Sequence, residues 1–292
     1  MAMPALRFKQ VDVFTARPFF GNPVAVVLAA AGLDTETMQR IAMWTNLSET
    51  TFVVPTTVDA DYHVRIFTPQ DELPFAGHPT VGTAHAALEA GIVRARDGRL
   101  RQQCAAGVLQ LTVVGEGPGR RISVEAPAAM FTPLGAAHLQ QLEAALGARI
   151  ASTVAPAVVN VGAQWLVAEL PDASAVRALI PDMAAVTALS LALGRTTGVT
   201  VFGRCREADH TIVTRSFAPA EGIPEDPVCG SGNASVGAFM HRAGVLPARE
   251  YVASQGREIG RDGYVTVRVD DMTGRTWIGG PAVTCVDGMI TV

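Results

Sequence analysis

Glu72-Leu-Pro-Phe-Ala-Gly77-His78-Pro-Thr80 is answered later in the chain by Glu225-Asp-Pro-Val-Cys229-Gly230-Ser231-Gly-Asn233. A constant spacing of 153 residues aligns Glu72 with Glu225, Pro74 with Pro227, Gly77 with Gly230 and, further on, Ala90-Gly91 with Ala243-Gly244. Just upstream, Arg65-Ile-Phe67-Thr-Pro69 matches Arg215-Ser-Phe217-Ala-Pro219 at a spacing of 150. In a chain of 292 residues this is a repeat of about half the length, so the sequence reads as two related halves. A duplicated fold facing itself is expected to place a functional cleft between the halves.

The rest of the chain fits that division. Hydrophobic residues make up 49% and charged residues 17%, enough to give each half a core of its own. The net charge of −4 and the lack of a basic stripe argue against a nucleic-acid partner. Arg94, Arg96, Arg99 and Arg101 flank Asp97-Gly98 and read as a solvated turn. Four scattered cysteines without a CxxC pair suggest neither a disulfide framework nor zinc, and no His, Glu or Asp spacing marks a metal site. No signal-peptide pattern and no membrane-length apolar run is present, so a soluble cytoplasmic protein is expected.

Coarse periodicity gives strands at residues 7–15, 23–28, 49–55 and 62–68, with a helix at 34–47 capped by Asp34. An alanine-rich buried helix follows at 79–90, ended by Gly91. Strands at 108–114 and 121–125 complete the first half, and the prolines at 127 and 133 mark the crossing. The second half is read as helices at 137–146, 183–193 and 234–243, with strands at 157–170, 199–203, 211–217, 264–269, 276–279 and 283–292. The resulting expectation is an α+β fold in two pseudo-symmetric halves, residues 1–126 and 127–292. Each half is a curled, mostly antiparallel sheet around one central helix, and the last strand may return to the first half.

Both motif copies are glycine-containing loops entering a helix, where unpaired N–H groups and the positive dipole end favour an anion. Two such loops could hold a carboxylate or steady an enolate-like oxyanion. Neither copy is a dinucleotide or P-loop fingerprint. A turn-forming role for Gly77 and Gly230 is the bland alternative. The mismatches between copies are Ala76 against Cys229, His78 against Ser231 and Leu73 against Asp226. A thiol at a helix start is expected to be acidified. Glu49, in Asn46-Leu-Ser-Glu49-Thr-Thr-Phe, falls opposite Val199 at the spacing of 150, and a carboxylate entering an apolar strand should have a raised pKa suited to acid/base work. Its alternative is an edge-strand residue facing solvent.

Phe14-Thr-x-x-Pro18-Phe-x-Gly21-Asn22-Pro23, Ser48-Glu49-Thr50, Glu72-Leu-Pro-Phe-Ala-Gly-His-Pro79 and Glu225-Asp-Pro-x-x-Gly-Ser231 together resemble the PhzF-like family. The resemblance implies a diaminopimelate-epimerase-like fold and a homodimer. It also implies cofactor-independent isomerisation of a small carboxylate by proton transfer. It carries Glu49 over as the acid/base and His78, Asp226 and Ser231 as substrate-contacting residues, with Gly77 and Gly230 beside them. The expected catalytic set is Glu49, Asp226, His78 and Cys229, and the expected binding set is Gly77, Gly230 and Ser231. Cys229 departs from the namesake and resembles the second catalytic cysteine of related epimerases and racemases, whereas Ala76 removes the first. A one-thiol epimerase or dehydratase using Cys229 therefore stays open, as does a non-catalytic carboxylate-binding protein.

Overall fold

A computed structural model describes residues 5–207 and 209–292, in two compact units. The first comprises residues up to Glu125 together with Gly279–Val292, and the second runs from Ala126 to Ile278. The fold is α+β and dominated by strands.

In the first unit, β1 (Ala5–Val13), β2 (Asn22–Val27), α1 (Thr35–Thr45), β3 (Thr50–Val54), β4 (Tyr62–Phe67), β5 (Glu72–Leu73), α2 (Gly77–Glu89), β6 (Arg99–Cys104), β7 (Gly107–Val114) and β8 (Arg121–Glu125) follow in order. The second unit contains β9 (Met130–Pro133), α3 (Ala136–Leu146), β10 (Ala157–Asn160), β11 (Gln164–Glu169), α4 (Ala173–Arg177), α5 (Met183–Ala192), β12 (Gly198–Arg204), β13 (Ile212–Ala218), β14 (Ile223–Asp226), α6 (Gly230–Arg242), β15 (Glu250–Gln255) and β16 (Gly263–Val269). The last strand, β17 (Thr276–Thr291), pairs antiparallel with the whole of β1 through its residues Ala282–Thr291, and from Gly279 onward it belongs to the first unit.

The pairings have the same order in both units. From β1 to β7 they run antiparallel (β1–β2), parallel (β2–β3), antiparallel (β3–β4), parallel (β4–β6) and antiparallel (β6–β7). From β10 to β16 the corresponding series is β10–β11, β11–β12, β12–β13, β13–β15 and β15–β16. Each sheet carries one helix that is buried nearly all round. In α2 every residue from Gly77 to Ala87 is buried, and in α6 burial covers Gly230 and the run Gly232 to Met240. Small residues make this burial feasible: a Cβ on Gly82 would come within 2.4 Å of Val24, and one on Gly232 within 2.6 Å of the Ser216 hydroxyl. Both helices end at a left-handed glycine, Gly91 (φ 71°) and Gly244 (φ 68°).

Outer helices differ between the units. Asp34 caps α1 by accepting from Thr37 N–H at 2.7 Å, and Met38, Ile41 and Ala42 bury its apolar face against Phe52 and Phe67. The second unit adds α3, α4 and α5 over a separate cluster built on Leu142, Leu146, Val176, Val186, Val199 and Phe217.

Besides the short β5, β9 and β14, two longer strands depart from the sequence expectation. The stretch read as a solvated arginine turn does turn at Asp97-Gly98, but it continues into β6, whose Leu100, Gln102 and Cys104 point inward. Strand β15 was likewise not expected. Buried glutamines in both strands break the apolar alternation on which period-2 reading depends. The strands read across 157–170 are the two arms of a hairpin, turning at Val161–Ala163. The two buried helices also begin earlier than propensity suggests, at Gly77 and Gly230, because packing outweighs the cost of glycine in a first turn.

Candidate active site

In each unit an Arg–Glu fork holds the loop that enters the buried helix. Arg65 donates from Nε and Nη2 to Glu72 at 2.7 and 2.6 Å, and Arg215 makes the same pair to Glu225 at 2.8 and 2.7 Å. The short strands β5 and β14 pair with β4 and β13 beside these forks. The loop residues are thus tied to the sheet on one side and to the helix on the other.

In the first unit the loop brings His78, second residue of α2, against Glu49, the residue before β3. Glu49 Oε2 and His78 Nε2 lie 3.2 Å apart, without the alignment of a hydrogen bond. The Glu49 side chain is only 14% exposed, and its Oε2 has no hydrogen bond among the described residues. Burial pushes the Glu49 carboxyl up to about 7, opposed in part by a hydrogen bond from Ser48. A group poised there is ready both to take and to give a proton near neutral pH. The solvent-facing alternative for Glu49 is therefore excluded.

In the second unit the loop is differently furnished. Asp226 Oδ1 accepts from Val228 N–H at 3.0 Å, and Ser231 Oγ accepts from the indole N–H of Trp165 at 2.9 Å. Cys229 is the N-cap of α6: its Sγ accepts from Gly232 N–H at 3.2 Å and lies 3.5 Å from Ser231 Oγ. The expectation of an acidified thiol is corrected here. Burial first, and the nearby Asp226 charge second, push the Cys229 thiol well above its ordinary range. The first copy shows why it can lack the thiol. Ala76 makes no side-chain cap, and the position equivalent to Gly232 is Pro79, which has no N–H to be capped. The two differences compensate each other.

Strand register also corrects the sequence alignment around Glu49. Thr50 pairs with Phe67 and Val199 with Phe217, so Glu49 corresponds to Gly198, not to Val199. Gly198 lies beside Trp165 in the parallel pair, and a Cβ there would meet the Phe217 carbonyl oxygen at 2.0 Å. No side chain fits at that position in the second unit.

The residues around these loops that sequence reading missed are Trp165, Asn233, Gln102 and Gln255. The two glutamines are separated by the same 153 residues as the motifs, so extending the repeat would have found them. Among the described residues one further group of donors is drawn together. Cys205, Glu207 and His210 have ligand atoms all within 4.8 Å on the segment between β12 and β13, a proximity that linear spacing did not suggest. No helix among the described residues is long and apolar enough to cross a membrane.

Comparison with known proteins identifies the family of the chain and agrees with its fold. The family model for phenazine biosynthesis-like proteins matches residues 11–288. Antisense-enhancing sequence 1 of Schizosaccharomyces pombe is 39% identical over 290 residues, covering 96% of this chain and 97% of its own. The trans-2,3-dihydro-3-hydroxyanthranilate isomerase of Pseudomonas chlororaphis is 33% identical over 288 residues, covering 97% and 98%. A phenazine biosynthesis protein of the PhzF family from Bacillus anthracis superposes with a TM-score of 0.88 at 26% identity, covering 99% of this chain and 100% of its own. The fold and its relatives define an enzyme of the isomerase class. The chain belongs to the PhzF family of phenazine biosynthesis-like proteins.

Proposed function

We propose that this enzyme isomerises a small unsaturated carboxylate by moving one proton between two carbons, with Glu49 as the acid/base and no cofactor. The observation that carries the reading is Glu49 itself: its side chain 14% exposed, its carboxyl pushed up to about 7, its Oε2 making no hydrogen bond among the described residues and lying 3.2 Å from His78 Nε2. In the proposed step the Glu49 carboxylate takes a proton from one carbon. The freed electron pair spreads into the conjugated system, and the protonated Glu49 carboxyl, once exchanged with solvent, returns a proton at the far end, so nothing is consumed. The full-length relative that isomerises trans-2,3-dihydro-3-hydroxyanthranilate supports a cyclic amino-acid carboxylate as the substrate class.

Asp226 and Ser231 are proposed to contact the substrate, with the first-turn N–H groups at Gly77 and Gly230 favouring its carboxylate. The matching order of strand pairings supports reading the two units as pseudo-symmetric copies. A homodimer in a reducing cytoplasm is part of the same proposal. Exposed Met43, Trp44 and Met289 supply apolar surface for a second copy, and all four cysteines are free. Incubation in deuterium oxide with a panel of cyclic amino-acid carboxylates is expected to give deuterated isomer, and Glu49→Gln is expected to abolish it. Exchange that continues undiminished in that variant would overturn the assignment.

A further inference from the structure

Gln102 on β6 and Gln255 on β15 are both wholly buried, and they stand 153 residues apart, like the two motif copies. Each reaches the fourth residue of the buried helix in its own unit. Gln102 Nε2 donates to Thr80 Oγ1 at 3.2 Å, and Asn233 Nδ2 donates to Gln255 Oε1 at 2.9 Å. Each also joins the neighbouring parallel strand, through Tyr62 O–H to Gln102 Oε1 at 2.8 Å and Thr214 O–H to Gln255 Oε1 at 3.2 Å. A buried amide costs free energy unless its hydrogen bonds are made, so two retained at one position of a repeat require a common explanation.

The second copy goes further than the first. Gln255 Oε1 also accepts the backbone N–H of Cys229 at 3.0 Å, and its Nε2 donates to the Asp226 carbonyl at 3.1 Å. One amide thereby holds both ends of the segment between Asp226 and Cys229. The next residue, Gly256 (φ 95°), lies so close that a Cβ would meet the Pro227 carbonyl oxygen at 2.3 Å. With Val228 N–H taken by Asp226, Cys229 N–H by Gln255 and Gly232 N–H by Cys229 Sγ, the loop's backbone donors are committed internally up to the helix start. Those of Gly230 and Ser231 carry no such bond among the described residues. They are what the loop has left to offer an anion.

We infer that Gln255 is the positioning residue of the second substrate loop, fixing Asp226 and the Gly230–Ser231 amides for a carboxylate, and that Gln102 is its reduced counterpart, which ties the helix to the neighbouring strand and does not hold the loop. The inference rests on the substrate-binding role proposed for that loop. Its structural half can be tested without any substrate.

Amide hydrogen exchange on the intact protein reads the clamp directly. Gln255→Leu is expected to speed exchange across residues 226–232 by about tenfold or more, the worth of one or two hydrogen bonds, while the core strands keep their protection. Gln102→Leu should leave that segment unchanged. Gln255→Glu is the conservative variant and the safeguard against misfolding. Its carboxyl, held protonated by burial, can still accept from Cys229 N–H and donate to the Asp226 carbonyl, so protection should persist at low pH and fade as the pH rises. In the isotope-exchange assay Gln255→Leu should raise KM by about tenfold with a smaller loss in kcat, since Glu49 is untouched. Unchanged loop exchange in folded Gln255→Leu overturns the inference. So does pH-independent protection in Gln255→Glu, or a kcat loss with KM unmoved. A wild-type protein that exchanges no substrate proton would refute the proposed reaction, and the hydrogen-exchange result would still decide the clamp.

Discussion

Glu49 and Gly198 hold the same place in the strand register of their two units, a buried carboxyl in one and no side chain in the other. The difference is enforced by packing. The Phe217 carbonyl oxygen lies 2.0 Å from where a Cβ on Gly198 would sit, so the second copy has no room for a carboxylate. The position is therefore a carboxyl in the first unit and closed in the second, and the proposed single acid/base at Glu49 draws on that difference.

Gly198→Ala is accordingly expected to destabilise the protein by about 1–3 kcal/mol or more, because the atom it meets is backbone and must move. Urea denaturation measures this. The same substitution at exposed Gly32, where a Cβ would meet nothing, is the control and should lie within about 0.5 kcal/mol of wild type.

The raised pKa of Glu49 makes stability depend on pH in a definite direction. The native carboxyl keeps its proton to about 7, whereas the unfolded one releases it near 4.5. Between those values the native state binds more protons, so stability falls as the pH rises. Glu49→Gln removes this dependence. Its stability relative to wild type should increase from pH 4.5 to 7 and level off above, by about 3 kcal/mol at most. A difference that is flat from pH 4 to pH 8 would show that burial does not perturb the group.

The thiol of Cys229 is predicted to cap a helix, not to attack a substrate. Cys229→Ser keeps an acceptor for Gly232 N–H and should retain activity. Cys229→Ala should lose about 1 kcal/mol of stability, the worth of a typical cap. Alkylation followed against pH should show no thiolate at Cys229 below the ordinary range for cysteine. Loss of isotope exchange in folded Cys229→Ser would restore the one-thiol epimerase reading.

Most of the fold was legible in the sequence because the two buried helices, their terminal glycines and the β-branched strands follow simple periodicity. What escaped was the polar interior. Strands β6 and β15 were missed because Gln102 and Gln255 are buried where alternation calls for apolar residues, and Trp165 gave no signal until the fold placed its N–H on Ser231. Glu49, His78, Asp226 and Ser231 were singled out by the mismatches between the repeated segments and by the motif resemblance. Their environment, including the upward shift of Cys229 and the Glu49–Gly198 register, depends on packing between strands distant in the chain, which no linear spacing encodes.

The paired Arg–Glu forks give the last prediction, because they are chemically alike and differently buried. Arg215 and Glu225 are 6% and 7% exposed, whereas Arg65 and Glu72 are 23% and 34% exposed. Arg215 also donates to the Leu179 carbonyl at 2.7 Å, so its guanidinium anchors the chain after α4 as well as the loop before Asp226. Removing one member strands a buried charge in the first case and a partly hydrated one in the second. Arg215→Ala is expected to cost about 3–5 kcal/mol, and Arg65→Ala about 1 kcal/mol or less. Raising the salt concentration to 1 M should weaken the Arg65 pair and leave the Arg215 pair nearly unchanged, because screening acts on the charges that water reaches. Equal losses for the two variants in denaturant titrations would mean that burial does not distinguish the two forks.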